Sequence, residues 1–514
     1  MYIILLCDSK VGMIAKTYSA IPYGFDGKLV EVEGDMNRGL PAFNIVGMAN
    51  KTINEAKERV RSAIVNSEFS FPNKKVTINL APAELPKDGA YLDLPIALSI
   101  LLLSGQLVSS DVVKKAFVGE LSLNGDIKPV RGIINIAETV KAAGFQELYV
   151  PIKNLAQASL VRGIKIYGVD TFQALYLALK QQLELTSTND NGSDTNAVTA
   201  VHNGPILDHV RGQSIAKRAI QIAIAGHHNI LISGPPGAGK TLLARVAANL
   251  LPDLTNEEMV EITKLYSLAG HTDADIIKKR PFRSPHHTAS ATSVIGGASG
   301  PGEISLAHKG ILFLDEIPEF PRSVLESLRQ PLEDKTISVS RVNRKTTYPA
   351  DFMLIGTMNP CPCGYLGDPT HECKCTELQI QNYHKKLSGP LFDRIDIYVE
   401  VDRVENKDLR ENLSAVGKEH DVVKNTITES YKRQRARYRR EGFYNSSLSS
   451  FQTSSLIKLE APAEALLAKA SENLNLSARA YFKVIKVAQT IADLDGAEVI
   501  TMSHLAESLS YRKR

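Results

Sequence analysis

No stretch of this 514-residue chain is long and apolar enough to cross a bilayer. The longest apolar run, Leu92 to Leu103, contains Asp93 and Pro95 and is too short. Met1 to Cys7 is apolar but lacks the basic flank and length of a signal segment. A cytoplasmic protein with no membrane partner is therefore expected. An excess of one charge is also lacking. Lys and Arg number 60 against 56 Asp and Glu, so any nucleic-acid footprint must be a local patch. Cysteine is scarce: there are five, and four of them fall within residues 361–375. In a reducing compartment that clustering points to metal rather than to disulfides.

What is present is organised in blocks. A chain of this length implies two to four domains. Residues 1–180 mix alternating strands (Val76 to Leu80, Phe117 to Val118) with apolar-periodic helices (Ile53 to Ser67, Ile133 to Ala143). Residues 181–205 form a polar linker, because Thr186 to Gly204 is too rich in Ser, Thr, Asn, Asp and Gly to bury a core. Residues 206–401 alternate strand and helix patterns, as in a parallel α/β sheet. Residues 402–514 read as helical.

The third block carries the chemistry. Gly234-Pro235-Pro236-Gly237-Ala238-Gly239-Lys240-Thr241 fits the phosphate-binding pattern G-x-x-x-x-G-K-[ST]. It lies between a short apolar strand and a helical run, the context that pattern requires. Its glycines let backbone N–H groups close around phosphates at a helix N-terminus. Lys240 should reach the β- and γ-phosphates of ATP, and Thr241 should hold Mg²⁺. Ile311 to Leu314 is apolar throughout and ends in Asp315-Glu316. Asp315 should also hold Mg²⁺, directly or through water, and Glu316 should polarise the attacking water. Asn359, at the end of the strand from Phe352, is placed to position that water. Arg394, after a Gly-Pro-Leu-Phe-Asp loop, suits charge stabilisation on a neighbouring subunit's ATP.

These motifs, with GQSIAKRAIQIAIAGHHN (212–229), RPFRSPHHTAS (280–290), PGEISLAHKGILFLDEIPEF (301–320), LRQPLED (328–334), NPCPCG (359–364) and GPLFDRIDI (389–397), carry a definite resemblance. The chain resembles the magnesium-chelatase-like AAA+ ATPases of the YifB/ComM family over nearly its whole length. The resemblance implies an α/β fold: an AAA+ P-loop parallel-sheet module with a C-terminal helical lid. It makes Asn359 the first sensor, Arg394 the arginine finger and Arg479, in LSARAY (476–481), the second-sensor residue. It implies a homohexameric ring.

Residues 79–98 and 119–132 resemble the proteolytic domain of Lon proteases, so the first block is expected to be an α+β Lon-protease-like (S5-like) domain. The resemblance puts Tyr91 where the catalytic serine would stand and Ile134 where the lysine would. Neither can serve as nucleophile or base, so no active protease is expected. A shifted nucleophile such as Ser99 is the opposing reading.

Cys361, Cys363, Cys373 and Cys375 supply four thiolates, enough to wrap one structural Zn²⁺, with His371 as an alternate ligand. The other reading is a reduced surface loop. Neighbouring His286 and His287 rarely face one ion, which favours a structural role. Lys432 to Arg440 carries six cations and is either a phosphate-contacting face or a solvated helix surface. Arg341, Arg344 and Lys345 sit on a hairpin-like segment before the first sensor. In the related ring helicases a hairpin there projects into the central pore. Its basic tip would suit a DNA backbone. The Gly-rich Ile295 to Gly302 looks like the family's other insertion. The function implied is an ATP-driven motor on single-stranded or branched DNA, of the branch-migration or helicase type, acting on incoming DNA in natural transformation. Alternatives are a magnesium-chelatase-type motor or a protein-remodelling machine.

Overall fold

The computed structural model describes residues 14–512, apart from 48–49, 88–89, 189–203, 271–275, 298–299, 342–343, 369–370 and 404–417. Met1 to Cys7, most of the polar linker, Val342-Asn343 and the side chains of Arg341, Arg344 and Lys345 lie outside that description. The chain divides into two compact units. One comprises Met1–Val198 with Asn256–Lys278, the other Thr199–Thr255 with Lys279–Arg514.

The first unit has two main sheets and a two-stranded ribbon, Glu120–Leu121 against Ile127–Lys128. In the larger, Ala15–Tyr23, Asp26–Asn37 and Lys75–Ala81 pair antiparallel, and Ala42–Val46 adds parallel to the last. Lys75–Ala81 alternates buried and less buried residues, as a strand with one face on a core must. The helix Asp93–Leu103 is apolar on every side and accordingly buried along its whole length. The smaller sheet sets Lys115–Phe117, Glu147–Pro151 and Lys165–Val169 in parallel. Ile134, on the helix Ile133–Ala142, is fully buried, and Tyr91 packs against the same core. Ser99 is fully buried, and its hydroxyl pairs with that of Thr17 at 2.8 Å. Lys87 is buried and donates to the carbonyls of Pro82 and Leu85, at 2.5 and 3.1 Å.

The helix Asn256–Leu268 belongs to this unit although its sequence neighbours belong to the other. Lys264 binds Glu138 at 2.6 Å, and Ser267 Oγ accepts from Gly132 N at 3.0 Å. Val260 packs on the core that holds Ile134.

In the second unit five parallel strands run in the order Phe282–Arg283, Ile311–Leu314, Met353–Met358, Ile230–Ser233, Ile397–Glu400. The strands Ile311–Leu314, Met353–Met358 and Ile230–Ser233 are buried throughout, which is why they read as unbroken apolar runs rather than alternating ones. The order matters for chemistry. The strand ending before Asn359 lies between the strand that feeds the Gly-rich loop and the one that ends at Asp315.

Thr336–Arg341 and Arg344–Pro349 form an antiparallel hairpin in which Arg341 faces Arg344. The Gly-rich segment forms a smaller ribbon, Gly296–Gly297 against Gly300–Pro301. The last block is helical, including Lys418–Tyr438, Ala461–Asn473, Ala478–Asp495 and Met502–Ser510. The run of six cations divides. Arg437 pairs with the fully buried Asp493, and Arg433 donates to the Asp493 carbonyl at 2.5 Å. Lys432 and Arg435 pair on the surface with Glu429 and Glu441. Two of the six therefore clip helices together.

Candidate functional site

The strand Ile230–Ser233 runs into Gly234, and the helix Lys240–Leu250 begins as the loop ends. Gly237 and Gly239 hold φ of +79° and +84°, a left-handed conformation that side chains rarely adopt, and a Cβ at either would meet open space. Glycine takes this conformation without strain, and both residues line one cavity. Lys240 is the first residue of its helix, where the helix dipole disfavours a cation unless an anion sits beside it. Its ammonium donates to Asn359 Oδ1 at 2.8 Å and Pro235 O at 3.2 Å, and to Gly234 O. Burial pulls its pKa down, against the field of Asp315 and Glu316.

Thr241 Oγ1 donates to Asp315 Oδ2 at 3.2 Å. Two hard oxygen donors side by side, in the cavity that Lys240 also lines, fit a Mg²⁺ ion with nucleotide phosphates. A cavity of about 400 Å³ is lined by Pro236 to Leu242, Asp315, Glu316 and Asn359, within the range of small-ligand sites. Glu316 has φ of +53°, sparsely populated for a residue with a side chain. Strain of this kind persists where surrounding structure enforces it, and it clusters at functional sites.

Part of the enforcement comes from Thr357, which the sequence reading did not single out. It is fully buried. Its hydroxyl donates to Asp315 Oδ1 and accepts from Glu316 N at 3.0 Å. One side chain therefore fixes both acidic positions. A signal was available: Thr357 and Asn359 are two residues apart along an extended chain and so share a face.

Arg394 and Arg479 do not line this cavity. Arg394 follows the short helix Gly389–Phe392 and is mostly buried. Its guanidinium donates to Pro390 O at 2.6 Å and pairs with Glu333 Oε2, while its buried Nε has no partner. Ser477 caps the helix Ala478–Asp495, accepting from Ala480 N at 3.2 Å, which puts Arg479 in the first turn. There the dipole again opposes a cation. Arg479 pairs with the other oxygen of Glu333 at 2.9 Å. Below them, Asp396 is held well under the ordinary carboxylate range despite burial, by Lys483, His228 and the Asn229 N–H. Asn229 also donates to Arg394 O at 2.9 Å and accepts from Leu354 N at 2.9 Å. The loop that carries Arg394 is thereby tied to the central strand.

Four cysteines converge just past Asn359. Cys361, Cys363 and Cys373 have sulfurs 3.3 to 3.6 Å apart, and all four sulfurs lie within 4.8 Å of one another. Thiolates around a tetrahedral Zn²⁺ would stand about 3.8 Å apart, given bonds of about 2.3 Å. The cluster has the shape of a metal site. His371 is not part of it: the ring stacks on Tyr365 and lies 3.7 Å from Asp368, which corrects its expected role as alternate ligand. The rings of His286 and His287 lie against each other, and His286 Nδ1 bonds Thr288.

Comparison with known proteins agrees with this architecture. Residues 206–409 match the family described as "Magnesium chelatase, subunit ChlI". Residues 32–154 match "Subunit ChlI of Mg-chelatase", and 417–512 match the ChlI C-terminal family. The chain is 40% identical over 503 residues to competence protein ComM of Haemophilus influenzae, covering 97% of each. It is 40% identical over 496 residues to YifB of Escherichia coli, covering 95% of each. Likeness to the magnesium-chelatase 67 kDa subunit of Chlorobaculum parvum is 28% over 153 residues, 29% of this chain and 22% of that one. Among the described residues no helix is long and apolar enough to cross a membrane. Family matches along the chain, near-full-length relatives and a P-loop facing an Asp-Glu pair agree: the chain belongs to the YifB/ComM family of magnesium-chelatase-like AAA+ ATPases.

Proposed function

We propose that this chain is one subunit of a homohexameric, cytoplasmic ATPase ring that moves on single-stranded or branched DNA. The observation that carries this reading is the division of the charged groups. The cavity around Lys240 holds the phosphate-binding loop, both acidic residues and Asn359, but neither Arg394 nor Arg479. Those arginines share Glu333 instead. An arginine finger held away from its own nucleotide serves a neighbour's, and such heterologous contacts close into rings.

Within each site Lys240 leaves Asn359 and the loop carbonyls for the β- and γ-phosphates. Thr241 and Asp315 would hold Mg²⁺, which would supply charge neutralisation of the phosphate oxygens. Glu316 polarises the attacking water and Asn359 orients it. The neighbour's Arg394 and Arg479 neutralise charge developing on the transferred phosphoryl group.

The basic hairpin around Arg341, Arg344 and Lys345, repeated in a ring, offers a circle of positive charge to a DNA backbone. Likeness to a competence protein favours incoming DNA in natural transformation as the substrate. The four thiols favour a structural Zn²⁺. With Tyr91 and Ile134 at the expected dyad positions and Ser99 bonded to Thr17, we take the Lon-like first unit to be without proteolytic activity.

ATPase rates with and without single-stranded, duplex and forked DNA test the motor. A salt-sensitive gain that R344A/K345A loses is the expected result. Stimulation by none of the three DNAs would sink the DNA reading and leave the chelatase-type or protein-remodelling alternatives.

A further inference from the structure

We propose that Glu333 is a positioning residue that couples the neighbour's nucleotide to the hairpin: it holds Arg394 and Arg479 until a γ-phosphate draws them away. The inference rests on the trans-acting arginines proposed above and goes beyond them.

Three observations carry it. First, one carboxylate bridges both guanidiniums, Oε2 to Arg394 and Oε1 to Arg479 at 2.9 Å. The two arginines lie 85 residues apart in sequence (479 minus 394) and on different elements, so Glu333 makes them one group. Second, the carboxylate is half exposed. Ion pairs at such positions are weak, whereas a phosphate offers each guanidinium charge-assisted, bidentate bonds. The phosphate wins the competition, so Glu333 restrains without trapping. The unpartnered Arg394 Nε is one more donor for the incoming anion.

Third, Glu333 is built into the base of the hairpin. It lies near the end of the helix Arg329–Asp334, and the first hairpin strand starts at Thr336. Gln330 on that helix bonds Ser338 of the strand twice, at 3.3 and 3.4 Å. Lys335 O accepts from Ala350 N at 2.8 Å, and its ammonium pairs with Asp351 at 3.2 Å. Asp351 also binds Lys309 at 2.9 Å. Helix and hairpin are therefore stapled together, and release of Glu333 changes the load on a body that carries the basic tip.

The test compares full-length wild type, E333Q, E333D and R394A in steady-state ATPase assays, with and without forked DNA. E333Q keeps the shape and loses the charge. It should lower KM for ATP about fivefold, equivalent to about 1 kcal/mol. It should also lose at least half of the DNA-dependent increment, while ring assembly by sizing is unchanged. E333D keeps the charge but cannot span both arginines, so it should fall between. If E333Q does not fold, E333D alone must show the same direction in both readouts. KM and DNA stimulation within twofold of wild type in folded E333Q, or, where E333Q does not fold, an E333D protein indistinguishable from wild type in both, overturn the assignment. If R394A leaves hydrolysis unchanged, the trans-arginine reading has failed instead. An inactive R394A beside a silent E333Q sinks only the role of Glu333.

Discussion

Replacing Thr357 with Val should damage hydrolysis far more than nucleotide binding. Valine keeps the shape and removes the hydroxyl. Two interactions vanish together: the bond donated to Asp315 Oδ1 and the bond accepted from Glu316 N at 3.0 Å. The Glu316 N–H then has no acceptor from Thr357, at a residue whose backbone already sits at φ of +53°. Leaving a buried donor unmet costs about 1–3 kcal/mol. A hydrogen bond to a charged group is worth about 1.5–3 kcal/mol. Part of this falls on folding, because the strand Met353–Met358 is central. The rest frees Glu316 and Asp315 from the geometry hydrolysis needs. If about 1.5–3 kcal/mol is expressed in the transition state, kcat falls about 10- to 100-fold. KM should move less than threefold, since Lys240 and the glycine loop are untouched. Thr357→Ser restores the hydroxyl and should recover most of kcat. The assay is steady-state ATP turnover, with fluorescent-nucleotide binding measured separately. A T357V protein with kcat within a factor of two of wild type, or a T357S protein as poor as T357V, would refute the reasoning.

Other expectations are simpler. K240A should abolish nucleotide binding by equilibrium titration, whereas E316Q should bind ATP and lose at least about 100-fold in turnover, as removal of a general base does. Purified protein should carry about one zinc per chain by elemental analysis, and C361S/C373S should carry none; less than half an equivalent in wild type counts against a zinc clip. Burial lowers the pKa of His227 to about 3. Its folded value lies below its unfolded one, so its contribution to stability is full above about pH 6.5 and drains away as pH falls toward 3, by at most about 5 kcal/mol. His227 caps the helix Ser214–Gly226 in the left-handed conformation, which Asn tolerates, so H227N should flatten the acid limb of a denaturation-midpoint profile.

Much of the nucleotide site was legible because its chemistry is local. A strand, three glycines, Lys240 and Thr241 are contiguous, and backbone geometry alone aims them at one cavity. Asp315 and Glu316 announced themselves because the strand before them is buried on both faces and must read as unbroken apolar residues. Asn359 reads by the same logic one strand over, after the buried strand Met353–Met358. Thr357 was not, because a threonine inside a strand ordinarily signals only β-propensity. Its role exists only because Met353–Met358 lies beside Ile311–Leu314, with Gly356 level with Leu314. Glu333 carries no such signal, since nothing in LRQPLED says which cations will face it.

The basic run Lys432 to Arg440 shows the converse. By sequence all six cations looked alike. Folding turned Arg433 and Arg437 inward to Asp493 and left Lys432 and Arg435 on the surface. The four cysteines were legible as a cluster by spacing, but the loop's course was needed to bring their sulfurs together and leave His371 out. The amino-acid order by itself determined the Gly-rich loop with Lys240 and Thr241 and the Asp315-Glu316 pair, because those groups are placed by the backbone next to them. Tertiary structure alone decided that Arg394 and Arg479 turn from their own nucleotide cavity to a common carboxylate. That outcome depends on how separate elements pack, and no local pattern encodes it.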